Sequence, residues 1–180
     1  FFGVHQRLDA PDIDGVLVDV SKSYRVAIKE TVEYFTGTSI TFEEIQEFKN
    51  KGRLNNDWDL TEAIIRDKYI ITDKKLIIRK FQEYYNKLKN NEKWVLNKNL
   101  LKKLSDRYYL AVLTGRPKNE AYYVLKKNKV AKYFKTIISM ENVSKQKPNP
   151  EGLLKILNKF ILFDKIQENE KPIPLFYTAF

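Results

Sequence analysis

The chain has 180 residues, 43% of them hydrophobic, which suits a single domain or one core with an inserted subdomain and argues against disorder. It has no cysteine and one histidine, His5, so disulfides, thiolate chemistry, a histidine-based triad and most zinc sites are excluded. The sequence shows neither an apolar run of about 18 residues nor the basic-then-apolar layout of a signal peptide at its start. We therefore expect a cytoplasmic protein without a membrane span.

The formal charge is +10, from 33 basic and 23 acidic residues, and this charge raises the question of nucleic-acid binding. Lysines make up 26 of the basic residues and are spread along the whole chain. Lysine is less suited than arginine to bidentate recognition of bases or phosphates. We interpret the charge as a solvated surface whose positive field attracts phosphorylated anions, and we do not expect nucleic acid as a partner.

Helical patterns fill residues 21–104. The first apolar stripe ends before Gly37, a typical stop signal, and residues 41–44 have the spacing of a capping box. Asn56 or Asp57 can cap the next helix. The apolar positions on these helical faces are Tyr24, Ile28, Val32, Phe35, Ile45, Phe48, Leu60, Ala63, Ile64, Ile77, Phe81, Tyr84, Leu88, Leu100, Leu101 and Leu104.

The pattern changes after residue 104, where short apolar runs alternate with helical segments. Strands are predicted at residues 108–113, 136–139 and 174–179, with a helix between the first two that buries Ala121, Val124 and Leu125, and another that begins at Pro150. This alternation predicts parallel βαβ units in an open sheet. Because ligands of such sheets bind at the carboxyl ends of the strands, residues at strand ends are the candidates for a site.

Two carboxylates one residue apart, Asp12 and Asp14, precede Gly15 near the start of the chain. On an extended segment they face the same side, where like charges repel unless a cation or a proton lies between them. A hard divalent cation such as Mg²⁺ suits oxygen ligands of this kind. Gly15 allows the backbone to turn and to approach a substrate closely. The alternative interpretation is a turn with solvated aspartates.

Two further clusters complete the candidate site. Thr114 and Gly115 follow the strand at 108–113, where a hydroxyl and a backbone N–H can bind a phosphate oxygen. Lys147 precedes a Pro-x-Pro stretch that stiffens its loop, and a fixed ammonium can neutralise charge on a nucleophile and on a phosphoryl group. Taken singly, these clusters also fit an ordinary loop and an exposed lysine. The three clusters in this order are much more specific.

Together, residues 12–16, 113–115 and 147–150 resemble the first three motifs of the haloacid dehalogenase (HAD) superfamily. The helical middle of the chain is similar to the cap inserted in the phosphoglycolate-phosphatase-like branch. The resemblance implies an α/β fold, a Rossmann-like parallel sheet core with an inserted all-helical cap. The implied boundaries are residues 1–20 and 105–180 for the core and residues 21–104 for the cap.

The resemblance also implies a Mg²⁺-dependent phosphohydrolase that acts on a small phosphorylated metabolite, a phosphomonoester. Asp12 would attack phosphorus and form an aspartyl-phosphate, and Asp14 would protonate the leaving oxygen and then activate water. Thr114 and the Gly115 N–H would hold the non-bridging oxygens, while Lys147 would steady the charge. Mg²⁺ would be bound by the Asp12 carboxylate and the Asp14 carbonyl.

One segment of the expected cap, residues 49–58, is its least helix-like part and concentrates cationic and amide side chains. We expect Arg53 and Asn56 to contact the leaving group of the substrate, and Arg116 to complete the pocket from the core side. The alternative is a solvated loop with Trp58 packed in the cap.

Two departures from the family pattern affect the expected activity. An acidic pair, the fourth motif, follows the final strand in the family and supplies a metal ligand, and no such pair follows the predicted strand at 174–179 here. Pro11 stands where an apolar strand should lead into Asp12. We therefore expect this 180-residue chain to bind Mg²⁺ weakly and to show little activity. The alternative function is a degenerate HAD scaffold that binds without catalysis and is basic enough to contact nucleic acid.

Overall fold

The structure is a computed structural model that describes residues 12–52, 54 and 56–167. The chain divides into two compact units, which we call the split unit (residues 1–18 with 94–180) and the inserted unit (residues 19–93). Two short strands, β1 (Val18–Asp19) and β2 (Lys93–Trp94), pair with each other where the chain passes between the units. The sequence predicts this division at residues 20 and 104. In the structure the inserted unit ends at residue 93, so the helix at Lys98–Arg107 belongs to the split unit and not to the insert.

The inserted unit is helical, and local signals set its helix ends. Its helices are α1 (Tyr24–Thr36), α2 (Phe42–Gly52), α3 (Asp57–Asp67) and α4 (Lys74–Leu88). Helix α1 ends at Gly37, whose φ of 69° is a conformation that glycine adopts without steric cost. The predicted capping box is present before α2, where the Thr41 N–H donates to Glu44 Oε2 (2.7 Å) and the Glu44 N–H donates to Thr41 Oγ1 (3.1 Å).

One apolar core holds the four helices of the inserted unit together. The Tyr24 ring lies 5.9 Å from the Phe81 ring and 4.4 Å from the Tyr85 ring, measured between centroids. The buried members of this core are Tyr24, Ala27, Ile28, Val32, Ile40, Ile45, Leu60, Ile64, Ile65, Ile77, Phe81 and Tyr85. Most of the predicted stripe is therefore confirmed, but Tyr85 is buried more deeply than the predicted Tyr84. Trp58 packs against the same core.

The split unit contains the sheet that the alternating pattern predicts. Strand β3 (Leu110–Leu113) is buried along its whole length and pairs in parallel with β4 (Phe134–Ile138). The unit also contains α5 (Lys98–Arg107), α6 (Lys118–Lys127) and α7 (Glu151–Gln167). The predicted strands at 108–113 and 136–139 are thus confirmed with shifted ends. A helical insert in a parallel α/β unit confirms the predicted fold class.

Helix α7 packs closely on β3. Ile156 and Phe160 of α7 are buried with Tyr109, whose ring centroid lies 5.9 Å from that of Phe160. Gly152 permits this approach, because a Cβ atom there would lie 2.5 Å from Leu113 Cδ1. Leu100 of α5 is 47% exposed, so the prediction that it belongs to a buried stripe is wrong.

Two features discussed from the sequence lie outside the described residues: the predicted strand at 174–179 and Pro11. Within the part of the chain that the structure describes, no helix is long and apolar enough to span a membrane.

Candidate active site

The two aspartates of the first cluster flank a buried residue in a tight turn. Ile13 is buried, whereas Asp12 and Asp14 are half-buried. The Ile13 carbonyl accepts from the N–H groups of Leu17 (3.0 Å) and Val18 (2.9 Å), which closes the turn. Gly15 has a φ of 74°, a conformation that strains other residues, and this confirms its predicted role in turning the backbone. The turn therefore holds two half-buried carboxylates on either side of one buried residue.

Asp12 is paired with Lys147, which lies 135 residues further along the chain. Lys147 Nζ lies 2.5 Å from Asp12 Oδ2 and also donates to the Leu113 carbonyl at 3.5 Å. The side chain of Asp12 is only 22% exposed and that of Lys147 only 14%, so solvent screens this ion pair less than it screens a surface pair. The ammonium is thus held between the first cluster and the end of β3.

A carboxylate at the start of α7 fixes the loop that carries Lys147. The Glu151 carboxylate accepts hydrogen bonds from the backbone N–H groups of Ser144 (3.0 Å) and Lys145 (2.8 Å), and it pairs with Lys155 at 2.7 Å. The hydrogen bond from Lys155, followed by those from the two backbone groups, lowers the pKa of Glu151 to about 2. Glu151 is therefore ionised over the neutral range and tethers the loop to α7.

Asp14 is paired with Arg116, 102 residues away. Arg116 Nε (2.7 Å) and one terminal nitrogen (2.5 Å) both lie within hydrogen-bond distance of Asp14 Oδ1. The Arg116 side chain is 0% exposed, and that of Asp14 is 28% exposed. The structure thus pairs the buried guanidinium of Arg116 with the second aspartate. The substrate contact that the sequence predicts for Arg116 stays a prediction.

The loop after β3 is held at several points. The Thr114 N–H donates to the Ile138 carbonyl (2.9 Å), and Thr114 Oγ1 accepts from the Arg116 N–H (3.2 Å). The Arg116 carbonyl accepts from the Met140 N–H at 3.1 Å, so hydrogen bonds to the segment after β4 also fix this loop. Thr114 follows Leu113 directly and so lies beside the carbonyl that Lys147 contacts. Its predicted contact with phosphate stays a prediction, as does that of Gly115.

The predicted site residues fall into two groups. Asp12, Asp14, Thr114 and Lys147 come together in the split unit, with Arg116 added as a buried partner. Asn56 lies in the inserted unit, where its side chain caps α3 by accepting from the N–H groups of residues 58 and 59. Arg53 lies outside the described residues.

Sequence reasoning missed two carboxylates that hold the site loops. Glu151 has the role described above, and Glu141 accepts from the Lys118 N–H at 3.0 and 2.9 Å at the start of α6. Hydrogen bonds of this kind satisfy N–H groups that lack helical partners. For Glu151 a signal exists, because an acidic residue directly after Pro150 is typical of a first helical turn. For Glu141 no local signal exists, since its partner lies 23 residues away.

The donor set of the site fits Mg²⁺ in its chemistry. Mg²⁺ prefers oxygen ligands and is commonly bound through one or two carboxylates, with waters and substrate phosphates completing the shell. Asp12 and Asp14 supply such oxygens. Among the described residues, no group of three or more His, Cys, Asp or Glu side chains could hold a metal. Because Lys147 and Arg116 already contact the two carboxylates, a metal here depends on further oxygens, such as those of a phosphoryl group.

The sequence pattern of the haloacid dehalogenase-like hydrolases matches residues 11–171, a range that contains all three clusters. The match extends over most of the chain and includes both units. The chain therefore belongs to the family of haloacid dehalogenase-like hydrolases, as the resemblance of its motifs predicts.

Two curated relatives overlap most of the chain. A protein of Phytophthora nicotianae named imidazoleglycerol-phosphate dehydratase is 33% identical over 155 residues, which are 79% of this chain and 34% of that protein. A protein of Caldanaerobacter subterraneus subsp. tengcongensis, provisionally named pyrophosphatase PpaX, is 27% identical over 153 residues, which are 81% of this chain and 64% of that protein. The chain thus spans less than two thirds of the length of either relative.

Solved structures of other family members share the fold. A protein of Haemophilus somnus 129PT, provisionally named a phosphoglycolate phosphatase, is 20% identical with a TM-score of 0.73, over 91% of this chain and 76% of that chain. The HAD-hydrolase YfnB of Bacillus subtilis, solved with bound magnesium, is 17% identical with a TM-score of 0.63, over 86% of this chain and 74% of that chain. At these identities the likeness shows the fold alone.

Proposed function

We propose that the protein is a Mg²⁺-dependent phosphohydrolase that cleaves a small phosphomonoester through an aspartyl-phosphate on Asp12. The observation that carries this proposal is the contact of 2.5 Å between Lys147 Nζ and Asp12 Oδ2. A fixed ammonium beside a partly exposed carboxylate orients that carboxylate for attack, and it offsets negative charge when a phosphoryl group arrives.

In the first half of the proposed reaction, Asp12 attacks phosphorus and the bond to the leaving oxygen breaks. Asp14, two residues away on the same turn, donates a proton to that oxygen. Thr114 and the Gly115 N–H bind the non-bridging oxygens, and their place at the end of β3 beside Leu113 supports this assignment.

In the second half, water attacks the phosphorus of the aspartyl-phosphate. Asp14 accepts a proton from this water, phosphate leaves, and the Asp12 carboxylate is restored. Lys147 offsets the charge on Asp12 and on the phosphoryl group in both halves. Asp14 thus acts first as an acid and then as a base, so its side chain has to stay within reach of two different oxygens.

Mg²⁺, when bound at the Asp12 carboxylate and the Asp14 carbonyl, would supply charge neutralisation during the transfer. The oxygen donors of the site support this proposal, and so does the magnesium bound to the related B. subtilis hydrolase. The positive field of a chain with charge +10 favours an anionic, phosphorylated metabolite as substrate. The contacts of Arg53 and Asn56 with the leaving group, and the cytoplasmic location, stay predictions.

The test is a screen of the full-length protein against small phosphorylated metabolites, with and without Mg²⁺. We expect turnover that depends on Mg²⁺. Asp12→Asn should abolish nearly all of it, because an amide does not attack phosphorus, whereas Asp14→Asn should reduce it by about 10² to 10⁴, the usual size of general acid–base catalysis. Asp106→Asn, at an exposed carboxylate on α5 of the same unit, serves as the control.

Two results would contradict this proposal. Unchanged turnover in folded Asp12→Asn would show that another group attacks phosphorus. Absence of turnover on every phosphate ester, with or without Mg²⁺, would favour the alternative, a family scaffold that binds without catalysis.

A further inference from the structure

Of the two ion pairs described at the site, the one between Asp14 and Arg116 contains the more deeply buried side chain. The guanidinium is 0% exposed, and two of its nitrogens point at the same oxygen, Asp14 Oδ1. A substrate cannot reach a side chain buried to this degree without a rearrangement of its surroundings. The location of Arg116 therefore indicates a role directed at Asp14 and not at the ligand.

The backbone of Arg116 is fixed on both sides. Its N–H donates to Thr114 Oγ1 at 3.2 Å, and its carbonyl accepts from the Met140 N–H at 3.1 Å. The guanidinium therefore extends from an anchored loop at the end of β3. Because a planar fork of N–H groups constrains the direction of the oxygen it binds, the geometry restricts the orientation of the Asp14 carboxylate.

Stability alone does not account for this pair. Removing a charged group from water is costly, and replacing a buried ion pair by apolar residues of similar size is often neutral or stabilising. A buried arginine beside the second aspartate of the site is thus better explained by what it does to that aspartate. A proton donor works only when it is held within hydrogen-bond reach of the atom it protonates.

We propose that Arg116 is a positioning residue whose buried guanidinium holds the Asp14 carboxylate by Oδ1, in the orientation from which Asp14 delivers a proton to the leaving oxygen. This inference rests on the proposed function. In the step concerned, Asp12 forms a bond to phosphorus, the bond to the leaving oxygen breaks, and the proton of Asp14 moves to that oxygen. A leaving group that is stable as an anion departs without this proton, whereas an alkoxide requires it.

The test compares wild type with Arg116→Gln in the full-length protein, with Mg²⁺, on an alkyl phosphate and on nitrophenyl phosphate. The quantity measured is kcat/KM, which covers the steps up to transfer onto Asp12 and excludes the later attack of water. We expect Arg116→Gln to lower kcat/KM for the alkyl phosphate by about 10²-fold, the size of effect that misplacing a catalytic group produces. The loss for nitrophenyl phosphate should be clearly smaller.

Three further variants separate positioning from a general structural role. Arg107→Gln, at an exposed arginine of α5, should leave both values unchanged. Arg116→Lys keeps the charge but not the fork, so it should restore the alkyl phosphate reaction only in part. In an Asp14→Asn background, Arg116→Gln should add little further loss, because residues that act as a unit are not additive.

The outcomes distinguish this inference from the proposed function. Turnover by wild type with equal losses on the two substrates would overturn the positioning role and leave the phosphohydrolase intact. If the losses from Asp14→Asn and Arg116→Gln add fully in the double variant, the positioning role would likewise be overturned while the phosphohydrolase stays intact. If Arg116→Gln does not fold, the activity of Arg116→Lys on the alkyl phosphate tests the inference instead. Full activity of Arg116→Lys would show that the planar guanidinium is not needed to position Asp14. Absence of wild-type turnover would overturn both proposals.

Discussion

The helix ends of the inserted unit and the ion pairs of the site in the split unit are fixed by contacts over very different distances along the chain. In the inserted unit, the hydrogen bonds that set the helix ends join residues two to four positions apart, as in the cap by Asn56. In the site, the two ion pairs join residues 102 and 135 positions apart. The comparison indicates that the ends of these helices are encoded locally, whereas the candidate chemistry depends on contacts between parts of the chain that are distant in sequence.

The charged groups of the two regions also differ in their surroundings. Glu83 of α4 pairs with Lys80 (2.8 Å) and Lys87 (3.0 Å), and its side chain is 47% exposed. Surface pairs of this kind contribute little to stability. The pairs of the site are shielded from solvent, and one of them contains a fully buried guanidinium. We therefore expect substitutions in the inserted unit to act on stability, and substitutions in the site to act on turnover.

The largest expected effect is on stability, at the centre of the inserted unit. Phe81 is 0% exposed and packs against Tyr24. Phe81→Ala removes a buried ring and leaves a cavity, so the free energy of unfolding should fall by about 3–5 kcal/mol. Urea denaturation measures the change, and Phe42→Ala, at a half-exposed ring of α2, is the control. A loss no larger than that of the control would show that this core is not the main support of the unit.

The next largest effect is on turnover, in the site of the split unit. Lys147→Ala should lower kcat by about 10²–10³-fold, the typical cost of removing one group that stabilises transition-state charge. The unfolding free energy should fall by less than in the core variant, because Asp12 is partly exposed and water can solvate its carboxylate once Lys147 is removed. Lys145→Ala, at an exposed lysine of the same loop, is the control. If the loss of unfolding free energy in Lys147→Ala is as large as the loss of activity expressed as free energy, substitutions in the site act on stability as those in the inserted unit do.

Local patterns in the sequence predict much of the fold. The capping box at Thr41, the stop at Gly37 and the buried run of β3 all depend on neighbouring residues, and the structure confirms them. The prediction for Leu100 is wrong because periodicity identifies an apolar stripe but not whether another element covers it. The same limit applies to Tyr84 and Tyr85, adjacent tyrosines of which the structure buries the second more deeply.

The candidate site could be predicted only in part. Motif order indicates Asp12, Asp14, Thr114 and Lys147, and the structure brings these residues into one unit. The partner of Arg116 could not be predicted, because its pairing depends on the turn at Gly15 and on the hydrogen bonds that fix the loop after β3. Those contacts form only when strands distant in sequence lie side by side.

A smaller effect separates two roles of Asn56. Its side chain caps α3, so Asn56→Ala should lower the unfolding free energy by about 1 kcal/mol, while Asn56→Ser, which keeps a capping oxygen, should restore most of it. Stability is measured by urea denaturation. Activity is then compared on a good natural substrate and on an aryl phosphate. A selective loss on the natural substrate in both variants supports a contact with the leaving group. Unchanged kinetics would show that Asn56 serves only to cap α3.

The smallest effect concerns two carboxylates, one in each region, whose pKa values are both lowered to about 2. Hydrogen bonds from Lys80 and then Lys87 lower the pKa of Glu83, whereas the pKa of Glu151 is lowered by Lys155 and by two backbone N–H groups. Because both values lie below the ordinary 4.5, each group stabilises the fold above about pH 4.5, and that contribution is lost as the pH falls towards 2.

Salt should distinguish the two groups, because surface pairs between side chains are screened and backbone hydrogen bonds in a tethered loop are affected less. We expect Glu83→Gln to flatten the decline of stability between pH 4.5 and 2 at low salt but to have little effect at about 1 M salt, where the screening length is about 3 Å. Glu151→Gln should flatten that decline at both salt concentrations, since its backbone contacts persist. Urea midpoints measured across the acid range at the two salt concentrations provide the comparison. Equal salt sensitivity of the two variants would show that Glu151, like Glu83, acts mainly through a lysine side chain, and that the Lys147 loop is not tethered by its backbone.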